Sequence, residues 1–314
     1  MANILYHVLS SSALLSLGLY HLISTTRNFL KSPHSYSAKL FHPFPPSSSH
    51  HRLRHLPLYL AILSLLVAII HQLILSTDSD PLLKGHTPVH HLTSLQSSSL
   101  LFLFLLLSLS LLLSDSHPSL LPLPPDLLFA LSSLLFFLSS SLSSSKASLQ
   151  TSDLEAKCHS VTSTISTLSS LLCLILTFLP RLFPADVFLA ASVCLRGLWE
   201  LQTGLSLYAD AFIPEGCHRL LDVVNGVEGS TKCDLDESKF RAIAILDLAF
   251  LIHVTLVVVI VLVTYAVVAK SVGGVGVKRL GSYEALPTST SSPTEAAPNH
   301  SSHIQMKALS GNQA

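Results

Sequence analysis

An all-α, polytopic membrane helix bundle is the fold class this sequence predicts, and three observations carry that reading. Charged residues make up 11% of the 314, against about 25% in a soluble domain. Mean hydropathy is +0.57. Seven stretches approach the ~20 mostly apolar residues that a helix needs to cross a bilayer. Serine fills much of the rest, and a helix carries it in lipid by turning the hydroxyl back onto its own backbone.

The seven predicted transmembrane helices follow in order. Residues 3–24 open the chain without a basic start or an Ala-x-Ala cleavage site, so they read as a retained helix rather than a signal peptide. Residues 57–76 and 92–113 are the second and third spans. The fourth, 125–144, follows the Pro-rich linker "SDSHPSLLPLPPD", whose shortness suits a tight helical hairpin. The fifth, 160–180, ends at Pro180. The sixth is 187–208, and the seventh, 243–268, contains a β-branched run acceptable in lipid. Together they predict a seven-span domain over 1–270. The Ser-, Thr- and Pro-rich remainder, 271–314, is expected to be a disordered cytosolic tail. It carries the Tyr283–Leu286 sorting-type pattern and a sequon at Asn299.

Lys and Arg in the connections set the orientation. Ten fall on the face holding the 25–56 connection and the tail, and seven on the other. This places the N-terminus outside or lumenal and the C-terminus cytosolic. Nine of the 17 His lie between His34 and His91 and read as a solvated, compositionally biased connection. The formal net charge is zero, so no basic surface points to nucleic acid.

Ionisable residues inside spans mark functional positions by default. The polar bundle face expected here is His7, His21, His71, Arg196, Glu200 and Gln202. His7 and His21 lie about 21 Å apart along a helix and cannot share one ion. Arg196 and Glu200, at i and i+4, share a helix face and can neutralise each other. Gly197 and Gly204 on that helix allow a neighbour to approach closely, and Tyr208 suits the aromatic belt at the exit. Glu155 and His159 form another i,i+4 pair, a weak metal candidate and more simply a solvated helix-start pair. No metal site and no cofactor is expected, and no nucleophile elbow, P-loop or dinucleotide fingerprint occurs. Cys217 and Cys233 share one long polar loop. If that loop is lumenal or extracellular, the two can form a disulfide.

The stretch "GLWELQTGLSLY" resembles a signature of the transmembrane protein 45 family, also called domain of unknown function 716. The matching positions are Gly197, Trp199, Gln202, Gly204, Leu207 and Tyr208. "GLYHL", Gly18 to Leu22, is similar to that family's Gly-Leu-Trp-His-Leu, with Tyr20 in place of Trp. Leu154, Glu155 and His159 match a Leu-Glu-x-x-x-His element. The resemblance covers about residues 1–270 and is to a divergent, plant-type member. There are departures. Arg196 stands where the family more often has Gln, and the fourth span lacks the Glu and His the family carries late in it. The resemblance implies a multi-pass membrane protein without assigned activity, loosely linked to stress or pathogen response.

The function expected is a structural or interaction component of an endomembrane or the plasma membrane, embedded in the lipid bilayer, with a membrane-protein partner or a second copy. One alternative is a small-solute or ion transporter using the intramembrane His, Arg and Glu. Another is a membrane enzyme with a His/Glu metal centre.

Overall fold

In the computed structural model, the described residues are 2–43, 55–77, 88–150, 152–222 and 227–273. Seven long helices run in chain order: α1 (Ala2–Lys31), α2 (Leu56–Thr77), α3 (Pro88–Ser116), α4 (Pro125–Leu149), α5 (Asp153–Phe178), α6 (Phe183–Tyr208) and α7 (Asp236–Gly273). A two-stranded antiparallel hairpin, β1 (Cys217–Asp222) and β2 (Val227–Cys233), lies between α6 and α7. The expected tail past Gly273, with Tyr283–Leu286 and Asn299, lies outside the described residues.

Helix ends follow local chemistry. Pro at the first turn opens α4 and α6, where a missing N–H costs nothing. The Ser152 side chain caps α5 at Glu155 N, with Asp153 and Glu155 in the first turn. Serines in α4 and α5 bond across the helix pair as well as back along their own helices. Ser133 pairs with Ser170, and Ser140 with both Ser163 and Thr167.

Six helices, α1 to α5 and α7, are long and apolar enough to cross a membrane, and the chain is an integral membrane protein. The sixth expected span, 187–208, lies within α6. At 26 residues α6 has the length and falls short only in apolarity, because it carries Arg196, Glu200 and Gln202. Its surface faces other helices rather than lipid: 14 of its 26 residues are buried, against 11% of the α7 window. α6 packs on α1, α5 and α7, with α4 against α5 and α2 against α3 completing the bundle.

The long polar loop expected between the sixth and seventh spans contains a two-stranded hairpin. Cys217 pairs with Cys233 in its register and is joined to it by a disulfide. Thr231 in β2 donates to Leu207 O at the end of α6 and accepts from Ser152 at the start of α5. One reading of the sequence is corrected at the connection after α1, because residues 36–43 are not a solvated loop. Tyr36, Ala38 and His42 are buried, and Ala38 packs with Phe129, Leu172, Cys173 and Leu176 of α4 and α5.

Candidate functional site: the α1–α6 seam

α1 and α6 run antiparallel, and two histidine–carboxylate pairs join them. His7 Nδ1 lies 2.9 Å from Glu200 Oε1, and His21 Nε2 lies 2.8 Å from Asp186 Oδ1. The spacing explains the register. His7 to His21 and Asp186 to Glu200 are both intervals of 14 residues, about 21 Å on each helix. Two antiparallel helices with equal intervals meet at both points at once.

Between the pairs the seam is tight. A Cβ on Gly18 would stand 2.6 Å from Cys194 Sγ and 2.9 Å from Cys194 N, and one on Gly197 would stand 2.9 Å from Leu15 Cγ. Gly204 presses on His7, where an added Cβ would come within 2.5 Å of His7 Cβ. These glycines are needed for contact between helices, not for turns.

The Glu200 end gathers most of the expected polar residues. Arg196 lies 3.7 Å from Glu200 Oε2, so the expected intrahelical pair is present and is not the glutamate's nearest partner. Arg196 also donates to Thr162 O at 3.3 Å and Ser166 Oγ at 3.2 Å on α5. Tyr208 stacks on His7 with ring centroids 5.5 Å apart, and His71 of α2 stacks on Tyr6 at 4.1 Å. Gln202 turns to its own helix and donates to Ser206. Trp199 is fully buried and donates to Cys158 O. Glu155 and His159 stand 3.7 Å apart on α5. Among the described residues, no three His, Cys, Asp or Glu side chains come together closely enough to ligate one ion.

The Asp186 end was not legible as a site. Asp186 is fully buried in the first turn of α6, where the helix dipole favours an acid. Besides His21, it accepts from Thr25 Oγ1 at 3.1 Å and from the Tyr36 hydroxyl. His42 closes the group: Asn28 Nδ2 lies 3.1 Å from its Nδ1, and its Nε2 lies 3.4 Å from Thr25 Oγ1. The Tyr20 hydroxyl donates to His42 O. This arrangement suits a neutral His42 with Nδ1 accepting and Nε2–H donating. Burial first, and then repulsion from His21 and Lys39, push its ring down to about 4 despite the pull of Asp186. Burial and the Asp186 charge raise the Tyr36 phenol. The only signal in the sequence is the matched 14-residue interval, which needs Asp186 to be counted with Glu200.

A folded value near 4 for His42 against ~6.5 unfolded means that the neutral ring's contribution is intact above the unfolded value and is lost as pH falls from there toward 4. By pH 4.5 the loss is about 2–3 kcal/mol. The expected result is a larger drop in thermal midpoint between pH 7.5 and 4.5 for the wild type than for His42→Gln. Equal drops would remove His42 from the account.

Fold and seam together define an integral, multi-pass membrane helix bundle zipped by part-buried acid–imidazole pairs. A family model described as a family of unknown function, DUF716, matches residues 125–266. That match runs from the start of α4 into α7, a little under half of the chain. It includes Glu155, His159 and the Gly197–Tyr208 signature; the α1 histidines lie outside it. No curated protein matches the chain.

Proposed function

We propose that this protein is a structural or interaction component of its membrane, built as a rigid scaffold for a membrane-protein partner or a second copy. The observation that carries the reading is the closure of both histidine–carboxylate pairs on each other. Between them Gly18 and Gly197 pack against Cys194 and Leu15. The charges are spent within the bundle, and the outer faces of α2, α3 and α7 are apolar.

Orientation follows the Lys and Arg bias, with the N-terminus lumenal or outside and the C-terminus cytosolic. The Cys217–Cys233 bridge supports it, since disulfides persist in oxidising compartments. With seven crossings, the α6–α7 hairpin shares its side with the N-terminus.

A second reading, carriage of a small solute or ion, is favoured by one observation: His7, Glu200 and Arg196 gather at one half of the seam. One double-variant series separates the two. Removing one member of a fully buried pair costs about 3–5 kcal/mol, and less for a part-buried one such as His7–Glu200, while replacing both by apolar residues is often neutral. For a scaffold, His7→Leu alone should destabilise, and His7→Leu with Glu200→Leu should recover stability and retain the partner captured in mild detergent. A recovered double variant that loses flux in proteoliposomes would establish carriage instead.

A further inference from the structure

We propose that residues 36–43 form a releasable strap that closes the Asp186 end of the α1–α6 seam, with the Tyr36–Asp186 hydrogen bond as its latch. Such a strap goes beyond the scaffold reading and can be tested without a substrate.

The segment leaves Tyr36 in an extended conformation and partly alternates. Tyr36, Ala38 and His42 point inward, while Ser37 and Lys39 are exposed. This is the period of a strand, yet the segment lies in no sheet. Outside helices and strands, its one backbone bond among the described residues is Ala38 N–H to Pro180 O at 2.7 Å, on the α5–α6 turn. Side chains hold the rest. Tyr36 donates to Asp186 at one end, and at the other the His42 ring meets Thr25 and Asn28 while Tyr20 holds the His42 carbonyl.

A helix carries its backbone bonds within itself, whereas this segment depends on a few contacts with neighbours. Segments held in that way open locally without unfolding the body they rest on. What lies beneath is specific: Asp186 is fully buried, and Tyr36 of the strap is bonded directly to its carboxylate. Release would give water access to the Asp186–His21 pair from this end, while the Gly18 contact with Cys194 remains shut further along.

The test uses full-length protein in permeabilised membranes, single cysteines at Ser37→Cys and Ala38→Cys, and a maleimide read by mass spectrometry. Cys158 and Cys194 are buried and Cys217 is bridged to Cys233; Cys173, which packs against Ala38, lies on a separate peptide and is read apart from the introduced thiol. Ser37→Cys should label at once. Ala38→Cys should label roughly tenfold or more slowly, because it waits for local opening, while Cys194 in the seam stays unlabelled. Tyr36→Phe should speed Ala38→Cys toward the Ser37→Cys rate with Cys194 still silent. Asn28→Ala, acting at the other end, is the second variant. The proposal falls if Ala38→Cys labels as fast as Ser37→Cys, or only together with Cys194. It also falls if a variant that keeps Cys194 silent leaves the Ala38→Cys rate unchanged.

Discussion

Asp186→Leu should be the most damaging single substitution in the described residues, lowering stability by about 4 kcal/mol, within the range seen when one partner of a buried pair is removed. The magnitude has a local cause. The carboxylate accepts from His21, Thr25 and Tyr36, and Thr25 and Tyr36 are buried with it. A buried donor left unmet costs about 1–3 kcal/mol. Asp186→Asn keeps an acceptor and should cost clearly less. Adding His21→Leu to Asp186→Leu should return part of the loss, since the pair is coupled and their effects do not add. Trp199, the chain's one Trp, is fully buried and gives a fluorescence readout of thermal unfolding in detergent. Asp186→Leu with an unchanged midpoint would mean the acid is not what holds α6 to α1.

Gly18→Val should come next, at about 3 kcal/mol, the upper part of the usual range for overpacking. Even the first added carbon would stand 2.6 Å from Cys194 Sγ, 2.9 Å from Cys194 N and 3.2 Å from Ala190 O. A thiol can turn aside, but two of these atoms are backbone of α6, so the helices themselves must part. Because His7 and His21 flank Gly18 on α1, parting them stretches both acid–imidazole pairs. Adding Cys194→Gly would remove only the thiol contact, so rescue should be partial. Wild-type stability for Gly18→Val would show that the seam is looser than these distances.

The helices are legible in the sequence because hydropathy over about 20 residues is a local property. α6 is the instructive case. Its Arg196–Glu200 spacing can be read from the chain, but the glutamate's nearest partner cannot, because His7 lies 193 residues away. Asp186 is missed because it falls in the first turn, where an acid has the routine explanation of the helix dipole. The strap is missed for a related reason. "YSAKLFHP" mixes Ser, Lys, His and Pro, which averages to a solvated loop, while burial depends on which alternate positions face the bundle. The hairpin carrying Cys217 and Cys233 escapes because "CHRLLD" and "VEGSTKC" do not alternate cleanly between apolar and polar.

The antiparallel match of α1 with α6 bears on how the chain is made. α6 is the helix least fitted to enter a bilayer unaided, since an Arg near a helix centre, as Arg196 is, costs roughly 2.5–3.5 kcal/mol on insertion scales. The imidazoles that meet its acids belong to α1, which is made before α6 and must wait in the membrane while four others emerge. Insertion of α6 is then a docking event onto a partner already in place. Removing α1 would therefore harm a helix far along the chain, during biogenesis and before any mature structure exists to be destabilised.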